Sequence, residues 1–167
     1  MNKKGLTLIE LMITSATMIV LVGVSLIIYI TILKSWRNQE VRAGISITLN
    51  RAVEEVVRDL REAKDIYSPY DGEIAFSHDL ADYYAYYLYD TSDSHPPAFD
   101  QSSYVLKRVY MSGGSFAYGT GRTIITGVVP PPTTDLSYDN NLATIDLTVT
   151  KNDETLRLKT KVRPRDI

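Results

Sequence analysis

The residue with the clearest chemical role in this sequence is Glu10, a carboxylate at the edge of a long apolar run. No charged residue occurs from Leu11 to Leu33, a run of 23 residues. An ionised carboxylate at the centre of a membrane-spanning helix costs about 2.5 to 3.5 kcal/mol, so Glu10 requires a partner or a function. An amine is the simplest partner, because opposite charges attract strongly where water is excluded.

The rest of the sequence offers little for catalysis or metal binding. Its two histidines, His78 and His95, are too few for a zinc cluster, and no cysteine is present to help. No nucleophile elbow, phosphate loop or dinucleotide glycine pattern occurs. The segment 90–94 could offer oxygen ligands to calcium, but it lacks the other positions of a binding loop, which favours a solvated loop. We therefore expect no enzyme activity, no metal and no cofactor.

The apolar run is long enough to form a transmembrane helix, since about 20 residues cross the hydrocarbon core. Lys34 and Arg37, with the tryptophan between them, are typical of the membrane interface. Lys3 and Lys4 favour a cytoplasmic N-terminus, which Lys34 and Arg37 oppose. A cleavable secretory signal is the alternative, but the run is long for such a signal and no A-x-A-like site follows it.

The helix is predicted to continue beyond the membrane, because no proline occurs before Pro69 and nothing forces the helix to stop. Apolar residues spaced three or four apart define one face of this stem. They are Ile45, Leu49, Ala52, Val56, Leu60 and Ala63. Charged residues predict a solvated opposite face, namely Arg51, Glu54, Glu55, Arg58, Asp59, Arg61 and Glu62. We expect the helix to end near Asp65.

Short alternating runs separated by Gly, Pro, Asn and Asp predict an antiparallel sheet after the stem. The predicted strands are 73–77, 83–89, 103–110, 122–129, 143–150 and 155–162. The last two form a hairpin if Asn152 and Asp153 make a two-residue turn. That register makes one face almost wholly apolar and places Asp146 opposite Lys159, a favourable cross-strand pair.

Two surface features of the predicted sheet have competing interpretations. Basic residues recur at every second position near the end of the chain, and we call them the basic ladder: Arg157, Lys159, Lys161, Arg163 and Arg165. A strand edge protected by charge is the favoured interpretation, docking to an acidic surface of another subunit is the second, and DNA binding is the third. The five tyrosines between 83 and 89 indicate a core or an interface ahead of a ligand site. The net charge of −2 is not that of a basic nucleic-acid-binding protein.

The N-terminal segment Lys3-Lys4-Gly5-Leu6-Thr7-Leu8-Ile9-Glu10-Leu11 resembles the processing and methylation site of type IV prepilins and type II secretion pseudopilins. The resemblance implies that a prepilin peptidase cuts between Gly5 and Leu6. It also implies N-methylation of Leu6, and a Glu10 carboxylate that offsets the positive terminus of a neighbouring subunit. Leu6 departs from the family, which more often has phenylalanine at the first mature position.

The segments 49–63, 104–108 and 161–166 more loosely resemble the J-type minor pseudopilins and W-type minor pilins. We therefore expect an α+β protein of pilin-like lollipop form, in which a transmembrane helix continues into an amphipathic stem packed on an antiparallel sheet. The expected parts are a leader (1–5), a transmembrane and assembly helix (6–33), a stem (34–66) and a head (67–167).

The expected function is that of a minor pilin or pseudopilin near the tip of a pilus or secretion pseudopilus. Its partners would be prepilin peptidase, other pilins, the inner-membrane assembly platform and membrane lipid, and nucleic acid is not expected. It would reside in the inner membrane as a single-pass protein with its head outside the cytoplasm before joining the filament. The alternative is a membrane-tethered module whose head captures DNA or glycan through the basic ladder or the tyrosines.

Overall fold

The computed structural model describes residues 7–90, 95, 97–112 and 114–165. These residues belong to two compact units, the first ending at Glu40 and the second beginning at Val41. The predicted leader, its cleavage site at Gly5 and the methylated Leu6 all lie outside the described residues.

In the described part of the chain there is a single helix, α1, which runs from Leu8 to Glu62. Its continuity confirms the prediction that nothing stops the helix at the membrane surface. It ends slightly before the predicted limit near Asp65, because the backbone N–H of Lys64 donates to the carbonyl of Ser77 at 2.8 Å and the chain enters the sheet. The backbone N–H of Arg165 lies 3.3 Å from the Arg61 carbonyl and satisfies one acceptor of the last turn.

The first part of α1 is, within the described chain, the one helix long and apolar enough to cross a membrane. Its few polar side chains bond to the helix itself. The Thr14, Ser25 and Thr31 hydroxyls each donate to the carbonyl four residues earlier, at 2.8 to 2.9 Å. These bonds satisfy groups that would otherwise be costly in lipid.

Among the residues that the structure describes, nine antiparallel strands follow the helix. They are β1 (Asp65–Tyr67), β2 (Glu73–Ser77), β3 (Tyr83–Tyr89), β4 (Tyr104–Ser112), β5 (Ser115–Phe116), β6 (Arg122–Val128), β7 (Asp135–Asp139), β8 (Leu142–Lys151) and β9 (Glu154–Val162). The six predicted strands are confirmed with ends shifted by at most two residues. The short strands β1, β5 and β7 were not predicted from the sequence.

The strands form one curled sheet in which β1 to β4 follow chain order, β6 lies beside β4, and β8 lies beside β6. β9 pairs with the whole length of β8, from Ala143 with Val162 to Lys151 with Glu154. Because a strand has only two edges, β6 and β7 share the other edge of β8, at Val149 and at residues 142–146 respectively. β8 therefore has three neighbouring strands.

The main core lies between the stem part of α1 and one face of the sheet. The predicted stripe is buried, together with Val53, and Val56 and Leu60 are completely inaccessible. Their sheet partners include Ile74, Phe76 and Leu106. The predicted solvated face was wrong at one position, because the Asp59 side chain is buried and contacts the sheet.

The tyrosines of β3 occupy both faces of the sheet, as alternation along a strand requires. Tyr84 and Tyr86 belong to the helix-side core. Tyr87 belongs to a smaller second core on the opposite face with Ala75 and Val109. This arrangement favours the packing interpretation of the tyrosines over the ligand-stacking one.

The β8–β9 hairpin has the predicted register at every pair, including Asp146 with Lys159. Asn152 and Asp153 have φ values of 51° and 64°, the left-handed conformation that a two-residue hairpin turn requires. Asn140 and Asn141 repeat this geometry, at 51° and 60°, between β7 and β8. This Asn-Asn pair is the local sequence signal from which β7 could have been predicted.

Replacing Leu60 by Ala should lower the free energy of unfolding by about 2 to 5 kcal/mol, because a cavity opens beneath the helix. The matched control is Ile47→Ala on the same helix, where the side chain is 56% exposed and the loss should be below about 0.5 kcal/mol. Denaturant unfolding of the full chain in detergent, followed by circular dichroism, measures both. Equal losses would contradict the described core.

Candidate functional site

Glu10 lies in the first turn of α1 and closes a capping box with Thr7. Its Oε2 accepts from the Thr7 backbone N–H and from the Thr7 hydroxyl, both at 2.9 Å. In return, the Thr7 hydroxyl oxygen accepts from the Glu10 N–H at 3.4 Å. Such a reciprocal pair satisfies donors that the first helical turn leaves free. The T-x-x-E pattern is a sequence signal for this cap, although the cap was not predicted.

The capping box gives Glu10 a local role alongside the predicted role in assembly. Only Oε2 takes part in it, and no hydrogen bond to Oε1 is present among the described residues. The carboxylate therefore has a second oxygen that can accept from an ammonium group. Gly5 and Leu6, the other predicted residues of this site, lie outside the described part.

The basic ladder is divided into two parts by Asp146. Arg157 donates from Nε and Nη2 to the two Asp146 oxygens at 2.7 and 2.6 Å, and Lys159 Nζ lies 3.1 Å from Oδ2. The Asp146 side chain is only 2% exposed. Hydrogen bonds from Arg157 and then from Lys159 lower the pKa of this carboxyl below its ordinary value. Arg157 and Lys159 therefore neutralise a buried charge.

The remaining members of the ladder, Lys161, Arg163 and Arg165, are exposed. Their side chains form no ion pair with a described residue. The Lys159–Asp146 pair was predicted from the sequence, whereas the forked Arg157 bond to the same carboxylate was not. A ladder in which two of five cations are already paired is a weaker phosphate-binding surface than the sequence suggested.

A cluster around Asp59 ties the last turns of α1 to the sheet. Asp59 Oδ2 accepts from the Tyr86 hydroxyl at 2.8 Å, and Arg108 Nε lies 3.1 Å away. The Arg108 guanidinium also lies 4.3 Å from the centre of the Tyr84 ring. Burial, with the nearby Asp59 charge, raises the pKa of Tyr86, so its hydroxyl stays protonated and donates. Neighbouring Glu55 adds an ion pair with Arg122.

A second cluster, around Glu73, lies on the sheet face opposite the helix. The Glu73 side chain is 1% exposed, and its Oε1 accepts from the Tyr118 hydroxyl at 2.7 Å. His95 Nε2 lies 2.8 Å from Oε2, but the two atoms are poorly aligned for a hydrogen bond. The His95 ring stacks on Tyr118 with ring centres 3.4 Å apart.

Burial dominates the electrostatics of the Glu73 cluster. It raises the pKa of Glu73 to about 7, although the Tyr118 bond acts in the opposite direction. Burial also lowers the pKa of His95. Both shifts favour the uncharged forms, a carboxylic acid beside a neutral imidazole. His95 had no predicted partner, because the 22-residue separation from Glu73 gives no local signal in the sequence.

These clusters are suited to holding the fold together more than to catalysis. In residues 7–90, 95, 97–112 and 114–165, no three His, Cys, Asp or Glu side chains lie close enough to hold a metal ion. The calcium interpretation of 90–94 falls mainly on residues that are not described. Of the predicted site residues that the structure describes, Glu10, Lys161, Arg163 and Arg165 are exposed and form no ion pair with another described residue.

Replacing Glu73 by Gln should stabilise the fold relative to the unaltered chain, by an amount that increases with pH. The ordinary pKa of this carboxyl is 4.5, and the pKa in the folded chain is about 7. The free energy of unfolding that the unaltered chain loses by ionising Glu73 therefore grows between these two pH values and is constant above them. The gain of Glu73→Gln over the unaltered chain should therefore be small at pH 4.5 and reach at most about 3 kcal/mol at pH 8. Unfolding at several pH values measures it.

Glu62→Gln, at an exposed position, is the control and should show no such gain. A difference between Glu73→Gln and the unaltered chain that stays constant from pH 4.5 to 8 would contradict the raised pKa.

Comparison of the chain with protein-family models, curated proteins and solved structures finds no match to any of them. The order of one long apolar helix followed by an antiparallel sheet is compatible with a pilin-like protein. The relation to type IV prepilins therefore rests on the resemblance of residues 3–11.

Proposed function

We propose that this chain is a minor pilin or pseudopilin, a structural subunit without catalytic activity. In this proposal, prepilin peptidase cleaves it after Gly5, and it joins a type IV pilus or a type II secretion pseudopilus near the tip. The observation that carries the proposal is the placement of Glu10. It stands in a prepilin-like segment, in the first turn of a long apolar helix, with one carboxylate oxygen free to accept from an ammonium.

The surface of α1 supports a membrane or filament environment. From Leu8, which is 80% exposed, to Leu33, which is 43% exposed, large apolar side chains lie open along the helix. Exposed apolar surface of this extent requires lipid or neighbouring helices in a stable protein. A pilin subunit has both environments in turn, first the inner membrane and then a bundle of similar helices.

The proposed partners follow from these surfaces. Lipid and the helices of other pilins would cover α1, prepilin peptidase and methylation would act at Gly5 and Leu6, and the assembly platform would collect the subunit from the inner membrane. The second compact unit, from Val41 onward, would lie outside the cytoplasm, as Lys3 and Lys4 favour.

The first test is the mass and N-terminal sequence of the protein from the membranes of its own host. We expect a start at Leu6, with or without one added methyl group, because the matching peptidase is present there. The full chain made in a strain without a prepilin peptidase is the control and should start at Met1. A Met1 start in the native host would overturn the proposal.

Two variants separate the assembly role of Glu10 from its capping role. Glu10→Ala removes both the charge and the capping bond, whereas Glu10→Gln keeps an oxygen that can accept from Thr7. If the charge directs assembly, both variants should be cleaved normally and should enter sheared filaments at a level at least fivefold below that of the unaltered chain.

The measurement is the ratio of filament-bound to membrane-bound subunit. Glu40→Gln, a charge loss elsewhere on α1, is the control and should assemble normally. Normal assembly of Glu10→Gln would assign Glu10 to helix capping alone.

A further inference from the structure

An open groove of about 430 Å³ lies between two loops of the head. One wall is the loop after β1, with Pro69, Tyr70 and Asp71, and the other is the segment that leads into β7, with Pro131 and Asp135. We call it the acidic groove, because both of its charged lining residues are aspartates.

The chemistry of the acidic groove suits a long cationic side chain. Asp71 is exposed and Asp135 is half-buried, so their carboxylates can be reached from solvent. Tyr70 is 48% exposed, and the prolines provide further apolar wall. Arginine and lysine pack their stems on such surfaces while the charged end meets a carboxylate, and an aromatic face adds to the attraction.

The complementary surface on the same chain is the unpaired part of the basic ladder, which we call the cationic arm: Lys161, Arg163 and Arg165. The backbone of the cationic arm is held in place, since Val162 and Pro164 are buried and the Arg165 N–H bonds to the helix end. Three cations on a fixed backbone lose less conformational entropy on binding than a flexible tail would.

We propose that the cationic arm of one copy of this chain docks in the acidic groove of a second copy. Charge complementarity selects this occupant, because both charged residues that line the groove are aspartates. The three cations of the arm form no ion pair with a described residue, and they are exposed. Groove and arm are different patches, so the contact is head-to-tail and leaves a free groove on one copy and a free arm on the other. It requires neither cleavage at Gly5 nor the charge of Glu10, and so is separable from the filament proposal.

Site-directed cross-linking tests this contact cleanly, because the chain has no cysteine of its own. Two differently tagged full-length chains are produced in the same membranes, one with Thr133→Cys beside the acidic groove and the other with Lys161→Cys on the cationic arm. A short bis-maleimide should join the two tags. The matched control replaces Lys161→Cys by Thr155→Cys, which is exposed at the far end of the same strand. The arm position should give at least a fivefold higher yield.

A charge swap identifies the contact. Asp135→Arg in the groove copy should reduce the yield at least fivefold, and Arg163→Asp in the arm copy should restore at least half of it. Asp139→Arg, an exposed carboxylate outside the groove lining, should leave the yield unchanged. If Asp135→Arg does not fold, Asp135→Asn removes the carboxylate charge without adding a positive one, and it should also reduce the cross-linking yield.

Equal yields for the arm and control positions would overturn the proposal. So would a yield insensitive to Asp135, or capture of a different protein by the groove cysteine in place of the second copy.

Discussion

The burial of one helical face by the sheet is the interaction on which the rest of this protein depends. Val56 and Leu60 are wholly inaccessible, and residues from β2, β4, β6 and β8 meet them or their neighbours. At about 25 cal/mol per Å² of apolar surface, this face is the main source of stability for a chain that has no disulfide. The same helix has no such cover before Glu40, where its apolar side chains are exposed. One continuous helix therefore serves two environments.

Carboxyl side chains are buried in the folded protein, among them those of Asp59, Glu73 and Asp146. Asp59 accepts from the Tyr86 hydroxyl and forms an ion pair with Arg108. Asp146 accepts from Arg157 and forms an ion pair with Lys159. Unpaired, either charge would be strongly unfavourable in the interior, whereas paired it fixes the position of an element. Asp59 fixes the helix on β3 and β4, and Asp146 holds β9 against β8. Glu73 is different, since burial there favours its protonated form.

The parts of the fold that were predictable from sequence are those governed by local periodicity. The stripe from Ile45 to Leu60 and the β8–β9 register follow from spacings of three or four and of two residues, and both are confirmed. Contacts between distant residues left no such signal. The Tyr118–Glu73 bond and the Tyr86–Asp59 bond join residues 45 and 27 positions apart, so neither cluster was foreseen. The capping box of Glu10 is local, so its pattern could have been recognised in the sequence.

The position of β8 at the junction of three strands has a consequence for when the head can fold. β8 and β9 occupy the end of the described chain, yet β8 bridges β6, β7 and β9 and contributes Ile145 and Leu147 to the core. The pairs β7–β8 and β8–β9 are local hairpins, but the core also joins Ile145 to helix residues such as Leu60, 85 positions earlier. Contacts of such long sequence separation form slowly, since the intervening chain must be ordered first. During synthesis, the helix is complete long before the sheet can close over it. The core of the sheet therefore stays open during synthesis, and it needs protection from aggregation until residues up to Val162 have emerged.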